Sequence, residues 1–148
     1  MYIFRLFAGA AVLLAGLWSA EAGAVELKVL SVEAMRGALQ ELAPAFEADS
    51  KNKLKIEYVT ADDIMKRIED IDVAIVTKAG MDKLAALPPK IVSNSRKVLV
   101  PAKGDPAKEY LAASSFWTEE ALAGKALIDF LAGPKAAEVY KAKGLVPG

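Results

Sequence analysis

Polar and apolar positions alternate along Glu26-Leu27-Lys28-Val29-Leu30-Ser31 and turn apolar toward its end, the pattern of a strand entering a buried sheet. Behind it Met35, Leu39, Leu42 and Phe46 recur at steps of four, three and four, which places them on one face of a helix over 33–48. Pro44 is expected to kink that helix. Lys53-Leu54-Lys55-Ile56-Glu57-Tyr58 alternates strictly and predicts a second strand. Thr60 with Asp63 three positions on has capping-box spacing and opens a second helix bearing Ile64, Met65 and Ile68. Val73-Ala74-Ile75-Val76 is a continuous apolar run, as in a parallel strand covered on both faces. A short helix from Met81 to Leu87 then stops at Pro88-Pro89.

Three successive strand–helix units predict an α/β fold whose parallel-rich sheet, with right-handed crossovers, is flanked by helices. Beyond the prolines the pattern weakens. Ile91-Val92 and Lys97-Val98-Leu99-Val100 read as strand pieces, residues 101–115 carry turn formers without a period, and 88–117 receive no firm placement. Thr118 reads as the N-cap of a helix carrying Leu122, Leu127, Phe130 and Leu131 and stopping at Gly133. Pro134 suits the first turn of a last helix bearing Val139 and Tyr140 and ending at Gly144. The expected product is a parallel sheet of about four strands with these two helices packed against it. Phe116-Trp117 reads either as a hydrophobic staple for the helix that follows or as an exposed patch. Lys135, Lys141 and Lys143 read as a solvated face.

The first residues belong to another category. Arg5 precedes the apolar run Leu6 to Trp18, and Ala20-Glu21-Ala22-Gly23-Ala24 follows with small residues in cleavage-site spacing. The run is shorter than the roughly 20 residues a membrane-spanning helix needs, so 1–24 reads as a secretory signal peptide and 25–148 as one mature domain. The expected location is periplasmic, with cleavage near Ala24. Composition narrows the chemistry. Lys plus Arg (19) equals Asp plus Glu (19), which removes the positive excess of a general nucleic-acid binder. With no His and no Cys there is no Ser-His or Cys-His pair, no disulfide, and no zinc site of the usual nitrogen and sulfur ligands. Binding without catalysis and without a cofactor is the expectation. An enzyme using Glu33, Asp62 or Asp63 is the weaker alternative, because no partner His, Cys or ligand pattern accompanies those carboxylates.

The opening VELKVLSVEAMRGALQELAPAFEA, the segments IEYVTADDI and IDVAIVT, and the ending GKALIDFLAGPKAAEVYKAKGLVPG together resemble bacterial periplasmic solute-binding proteins of the molybdate-binding type. The resemblance implies one lobe of a type II periplasmic binding protein, the solute-binding component of an ABC transporter. Its partners would be a small oxyanion (molybdate, tungstate or sulfate) and an ABC permease. Members of that family have two lobes joined by two crossing strands. Here the matching pieces belong to the first lobe, and Val100 to Pro106 could be either crossing strand. The alternative is a single-lobe protein-interaction module, or a remnant that no longer binds a small ligand. Apolar surface left without its second lobe could be covered by a second copy, making a homo-oligomer.

Ligands of open α/β sheets sit beyond the carboxyl ends of the strands, at helix N-termini. Ser31 follows the first strand and Thr60 the second, and by resemblance these are the places where first-lobe hydroxyls and amides hold a tetrahedral oxyanion. For Thr60 the rival role is capping its own helix, worth about 1 kcal/mol. Glu33, Asp62 and Asp63 stand close by and are expected to repel an anion, with Arg36 as an offset.

Overall fold

The computed structural model describes residues 24–87, 90–101 and 108–148. The apolar leader, the Pro88-Pro89 stop and residues 102–106 of the expected crossing strand lie outside the described residues.

Strand β1 (Glu26–Ser31) runs parallel to β2 (Lys53–Tyr58) on one side and to β3 (Val73–Thr77) on the other. Beyond β3 the sheet turns antiparallel, through β5 (Tyr110–Ser115), β4 (Val92–Val100) and the two-residue β6 (Val146–Pro147), giving six strands in the order β2-β1-β3-β5-β4-β6. The α/β class and the three parallel units are as expected. The expected parallel sheet of about four strands is instead a six-stranded mixed one, because the chain adds β4, β5 and β6 in antiparallel pairings.

Helix α1 (Arg36–Ser50), entered through a 3-10 turn at Glu33–Met35, shares one face of the sheet with α4 (Ala121–Leu131) and α5 (Pro134–Ala142). Leu27, Val29, Leu39, Leu42, Val73, Ile75, Leu127 and Tyr140 fill that core. Helix α2 (Ala61–Arg67), a 3-10 turn at Ile68–Asp70 and α3 (Lys78–Ala86) cover the other face over Leu30, Ala74, Val76 and Ala113. Successive residues of β3 therefore enter opposite cores, which explains its unbroken apolar run. Helix α1 passes through Pro44 without ending and closes at Lys51, whose φ of 64° turns the chain. The side chain of buried Asn52 then accepts a hydrogen bond from Val25 N (3.1 Å), tying the start of β1.

The unplaced region is two strands. The apolar ends of β4 were readable, but Ser93–Lys97 between them is exposed and irregular, with register breaks and a positive φ at Asn94. Strand β5 ends in Ala112, Ala113, Ser114 and Ser115, all buried, so it shows neither alternation nor branched side chains. Small residues there allow α4 close: a Cβ on Gly124 would lie 3.5 Å from Ser114 Oγ. Residues 101–109, nine in number, join β4 to β5. That is far below the roughly 40 residues a self-supporting unit needs, so no second lobe lies between these strands.

Several expectations at the second half are corrected. Thr118 does not cap α4, which starts at Ala121. It caps the preceding turn, accepting from Glu120 N (3.0 Å) and donating to Asp72 Oδ1 (2.6 Å). Leu122, read as one of the apolar residues of this helix, is 87% exposed, because at 3.6 residues per turn it lies about 140° from Leu127 and about 180° from Leu131, on the face away from the sheet. Phe116 and Trp117 form the exposed patch and not a staple, with their rings packed edge to face at 5.5 Å. Lys135 and Lys143 are more than a solvated face: they pair with Asp49 (2.7 Å) and Glu41 (3.1 Å) of α1.

Gly37, in the first turns of α1, has nothing within 4 Å of an added Cβ. Gly37→Ala is expected to raise the unfolding free energy by about 0.5–1 kcal/mol through helix propensity, read from urea melts. A loss would show that the glycine is needed where no neighbour requires it.

Candidate functional site

Ser31 ends β1, Thr60 follows β2 and Thr77 ends β3, so three hydroxyl residues stand at neighbouring strand ends on one edge of the sheet, each leading into a helical turn. The ends are laced together. Ser31 O accepts from Val59 N (2.9 Å), and Val32 N donates to Ile75 O (3.1 Å). Ser31 and Thr60 thus lie at the ends of adjacent strands, with Val59 between Thr60 and the residue paired with Ser31. Thr77 was missed by sequence reasoning, although its signal was present: a hydroxyl ending an apolar run, three residues before Gly80.

The hydroxyls differ in what they have to offer. Ser31 is fully buried and its Oγ donates to Val32 O (3.0 Å). Thr60 Oγ1 accepts from Asp63 N (3.2 Å) and donates to Asp63 Oδ2 (2.9 Å), a reciprocal cap. Thr77 Oγ1 accepts from Gly80 N (3.2 Å), and among the described residues its own proton has no acceptor. An oxyanion needs donors. Ser31 and Thr60 each have one hydroxyl proton, and each is already committed.

The nearby charges are largely matched. Glu33 accepts a two-pronged bond from Arg36, with Nε at 2.5 Å and Nη2 at 2.9 Å, and the same guanidinium lies 4.1 Å from the centroid of the Tyr58 ring. That bond holds the Glu33 carboxyl below the usual carboxylate range and raises the Arg36 pKa. Lys78 pairs with Asp82 (3.0 Å), which raises its pKa. The repulsion expected from Glu33 is therefore balanced by its own helix, and Asp63 is engaged by Thr60.

Two clefts lie elsewhere. One of about 200 Å³ lies between β1, β2 and the α2 side, lined by Lys28, Lys55, Glu57, Arg67 and Asp70. Another of about 400 Å³ opens at the amino ends of the parallel strands, between Glu26, Glu69, Asp70, Asp72, Trp117 and Glu120. Among the described residues no group of acidic side chains is arranged to hold a metal ion. No helix among them is long and apolar enough to cross a membrane.

Residues 27–108 match the family model described as bacterial extracellular solute-binding protein. A comparison with curated proteins finds no match. Among solved structures, one that is similar is a substrate-binding domain from Clostridium difficile assigned to a molybdenum ABC transporter, with a TM-score of 0.72 and 11% identity, covering 84% of this chain and 100% of that one. The tungstate ABC transporter structure from Geobacter sulfurreducens has a TM-score of 0.67 at 14% identity, over 79% of this chain and 98% of that one. The periplasmic molybdate-binding protein of Azotobacter vinelandii has a TM-score of 0.66 at 12% identity, over 82% and 99%. At such identities the likeness is one of fold.

Proposed function

The chain belongs to the bacterial extracellular solute-binding protein family, and we propose that it is an exported, periplasmic binding protein whose single lobe offers a weak half-site for a tetrahedral oxyanion, in the service of an ABC permease. The proposed mature domain is 25–148, freed by cleavage near Ala24. The observation that carries the reading is the row Thr60, Ser31, Thr77 at three neighbouring strand ends, each beside first-turn amides that helix geometry leaves without intrahelical acceptors. Ser31 and Thr60 are the proposed ligand residues. Each would exchange its present internal acceptor for the anion. Molybdate, tungstate and sulfate are the candidate solutes, and no catalytic step is involved.

A lone lobe keeps water on the ligand's open side. Polar contacts there are worth about 0.5–1.5 kcal/mol each, so three or four place the dissociation constant near the millimolar range. NMR titration with the three oxyanions is expected to shift the amides following Ser31 and Thr60, and Ser31→Ala with Thr60→Val to weaken the response. Thr60→Val also removes a cap worth about 1 kcal/mol, so binding is compared at a temperature where both proteins are folded. No amide shift at tens of millimolar, about ten times the expected constant, would remove the oxyanion reading.

A second reading is favoured by one observation, the internal commitment of both expected hydroxyl protons. On it the lobe is a protein-interaction module that no longer binds a small ligand. The same titration separates the two.

A further inference from the structure

Strand β2 closes one end of the sheet, and among the described residues its outer edge has no strand beside it. Lys53 N donates to Val25 O (2.8 Å) and Val59 N to Ser31 O (2.9 Å), so the odd-numbered residues turn their backbone groups toward β1. By alternation the N–H and C=O groups of Leu54, Ile56 and Tyr58 face outward. Among these, Leu54 N donates a long bond of 3.4 Å to Glu47 Oε2, which pairing with another strand would exchange. The strand has six residues, with no proline and no bulge in its pairing with β1. Leu54, Ile56 and Tyr58 are only partly buried on the α1 face, while Lys55 and Glu57 project from the other.

We propose that β2 pairs antiparallel with β2 of a second copy, about a two-fold axis through Ile56, to form one continuous sheet across a homodimer. The pattern is self-complementary in that register. Ile56 meets Ile56 and Leu54 meets Tyr58, and these are the residues whose backbone groups face outward, so three hydrogen-bonded pairs supply about six bonds. Lys55 meets Glu57 at both symmetry-related positions, in non-hydrogen-bonded pairs where side chains approach closest. Moving the axis to Lys55 keeps side chains on their faces but sets Lys55 against itself and leaves only two outward pairs. A shift by an odd residue count between facing positions would put apolar groups against charged ones.

Charges around Lys55 favour the same arrangement. Its neighbour in register on β1 is Lys28, and among the described residues neither forms a salt bridge within its own chain, so two like charges lie side by side. Glu57 is held by Arg67 of its own chain and remains 45% exposed. In the dimer each Glu57 lies between Arg67 and the copy's Lys55, which relieves the lysine pair. The surface buried by one strand pair is small, so the association is weak and depends on concentration.

Sedimentation of the purified protein between about 10 μM and about 1 mM is expected to show a monomer–dimer equilibrium. Lys55→Glu alone and Glu57→Lys alone each set like charges across the seam and should raise the dissociation constant about tenfold or more. An equimolar mixture of the two should associate as the unmodified protein does, because every facing pair is again opposite in sign. Ile56→Pro removes an N–H that β1 does not use, so the monomer's ladder is kept while the dimer is lost, with circular dichroism confirming the fold. A monomer at the highest concentration overturns the proposal. So does a dimer that survives Ile56→Pro, or a mixture that associates no better than its separate components. None of these readouts needs a ligand, so they stand apart from the oxyanion titration.

Discussion

Leu131→Ala is expected to lower the unfolding free energy by about 2–5 kcal/mol, the range for a buried leucine that leaves a cavity. Leu131 is fully buried at the end of α4, in the core shared with α1, α5 and the sheet. Its carbonyl also accepts the Tyr140 hydroxyl at 2.9 Å, a buried bond between the two closing helices, and burial pushes the Tyr140 phenol above its ordinary range. Collapse around the lost side chain would have to move that bond, so little relaxation is available and the cost should fall in the upper half of the range. Leu122→Ala supplies the contrast within the same helix. With 87% of its surface exposed, Leu122 should cost no more than about 0.5 kcal/mol. Urea unfolding of both variants checks the pair. Equal losses would mean that α4 docks with a different face from the one described.

What could be read in advance follows from how burial prints itself on a chain. In β1 and β2 one residue in two meets a helix, so polar and apolar positions alternate visibly, and Thr60 with Asp63 announces its cap by spacing alone. Strand β5 is buried from both sides by elements that approach closely, so it is built from Ala112, Ala113, Ser114 and Ser115, residues that hydropathy cannot tell from a loop. Strand β4 hides for the opposite reason: its polar middle faces water.

The candidate site divides in the same way. Positions at strand ends were legible, because a hydroxyl between a strand and a helix is a local pattern; Ser31 ends β1 in register with Tyr58, two residues before Thr60. What their protons are bonded to is set by a carbonyl orientation at Val32 and a rotamer at Asp63, which leave no trace in residue type. The Glu33–Arg36 pair was half legible. Their spacing of three permits it, but the stacking on Tyr58 depends on how β2 and α1 meet.

Asp72 is the second residue whose replacement should be felt strongly, and nothing in its neighbourhood along the chain announces it. Its carboxylate accepts from Lys28 N (2.8 Å) with one oxygen and from Thr118 Oγ1 (2.6 Å) with the other, while its backbone joins Lys28 O (2.9 Å) and Ser115 N (2.9 Å). One side chain thereby fixes the starts of β1 and β3 to the turn that leads into α4. Asp72→Ala removes both side-chain bonds. Bonds to a charged acceptor contribute about 1.5–3 kcal/mol each when shielded, and here water can reach the Lys28 amide, so a loss of about 2–3 kcal/mol is expected. Asn keeps the geometry by accepting from Lys28 N through its oxygen and donating to Thr118 Oγ1 through its amide, with the threonine proton turned away. Either replacement removes one negative charge from a cleft that holds Glu26, Glu69, Asp70 and Glu120. That relief is common to both variants, so the retained bonds are what should confine the Asp72→Asn loss to about 1 kcal/mol, and both losses should shrink at low salt, where like charges repel over a longer range. Urea melts of the two variants at two ionic strengths measure this. If Ala costs no more than Asn, the bridging bonds do not hold the turn to the sheet.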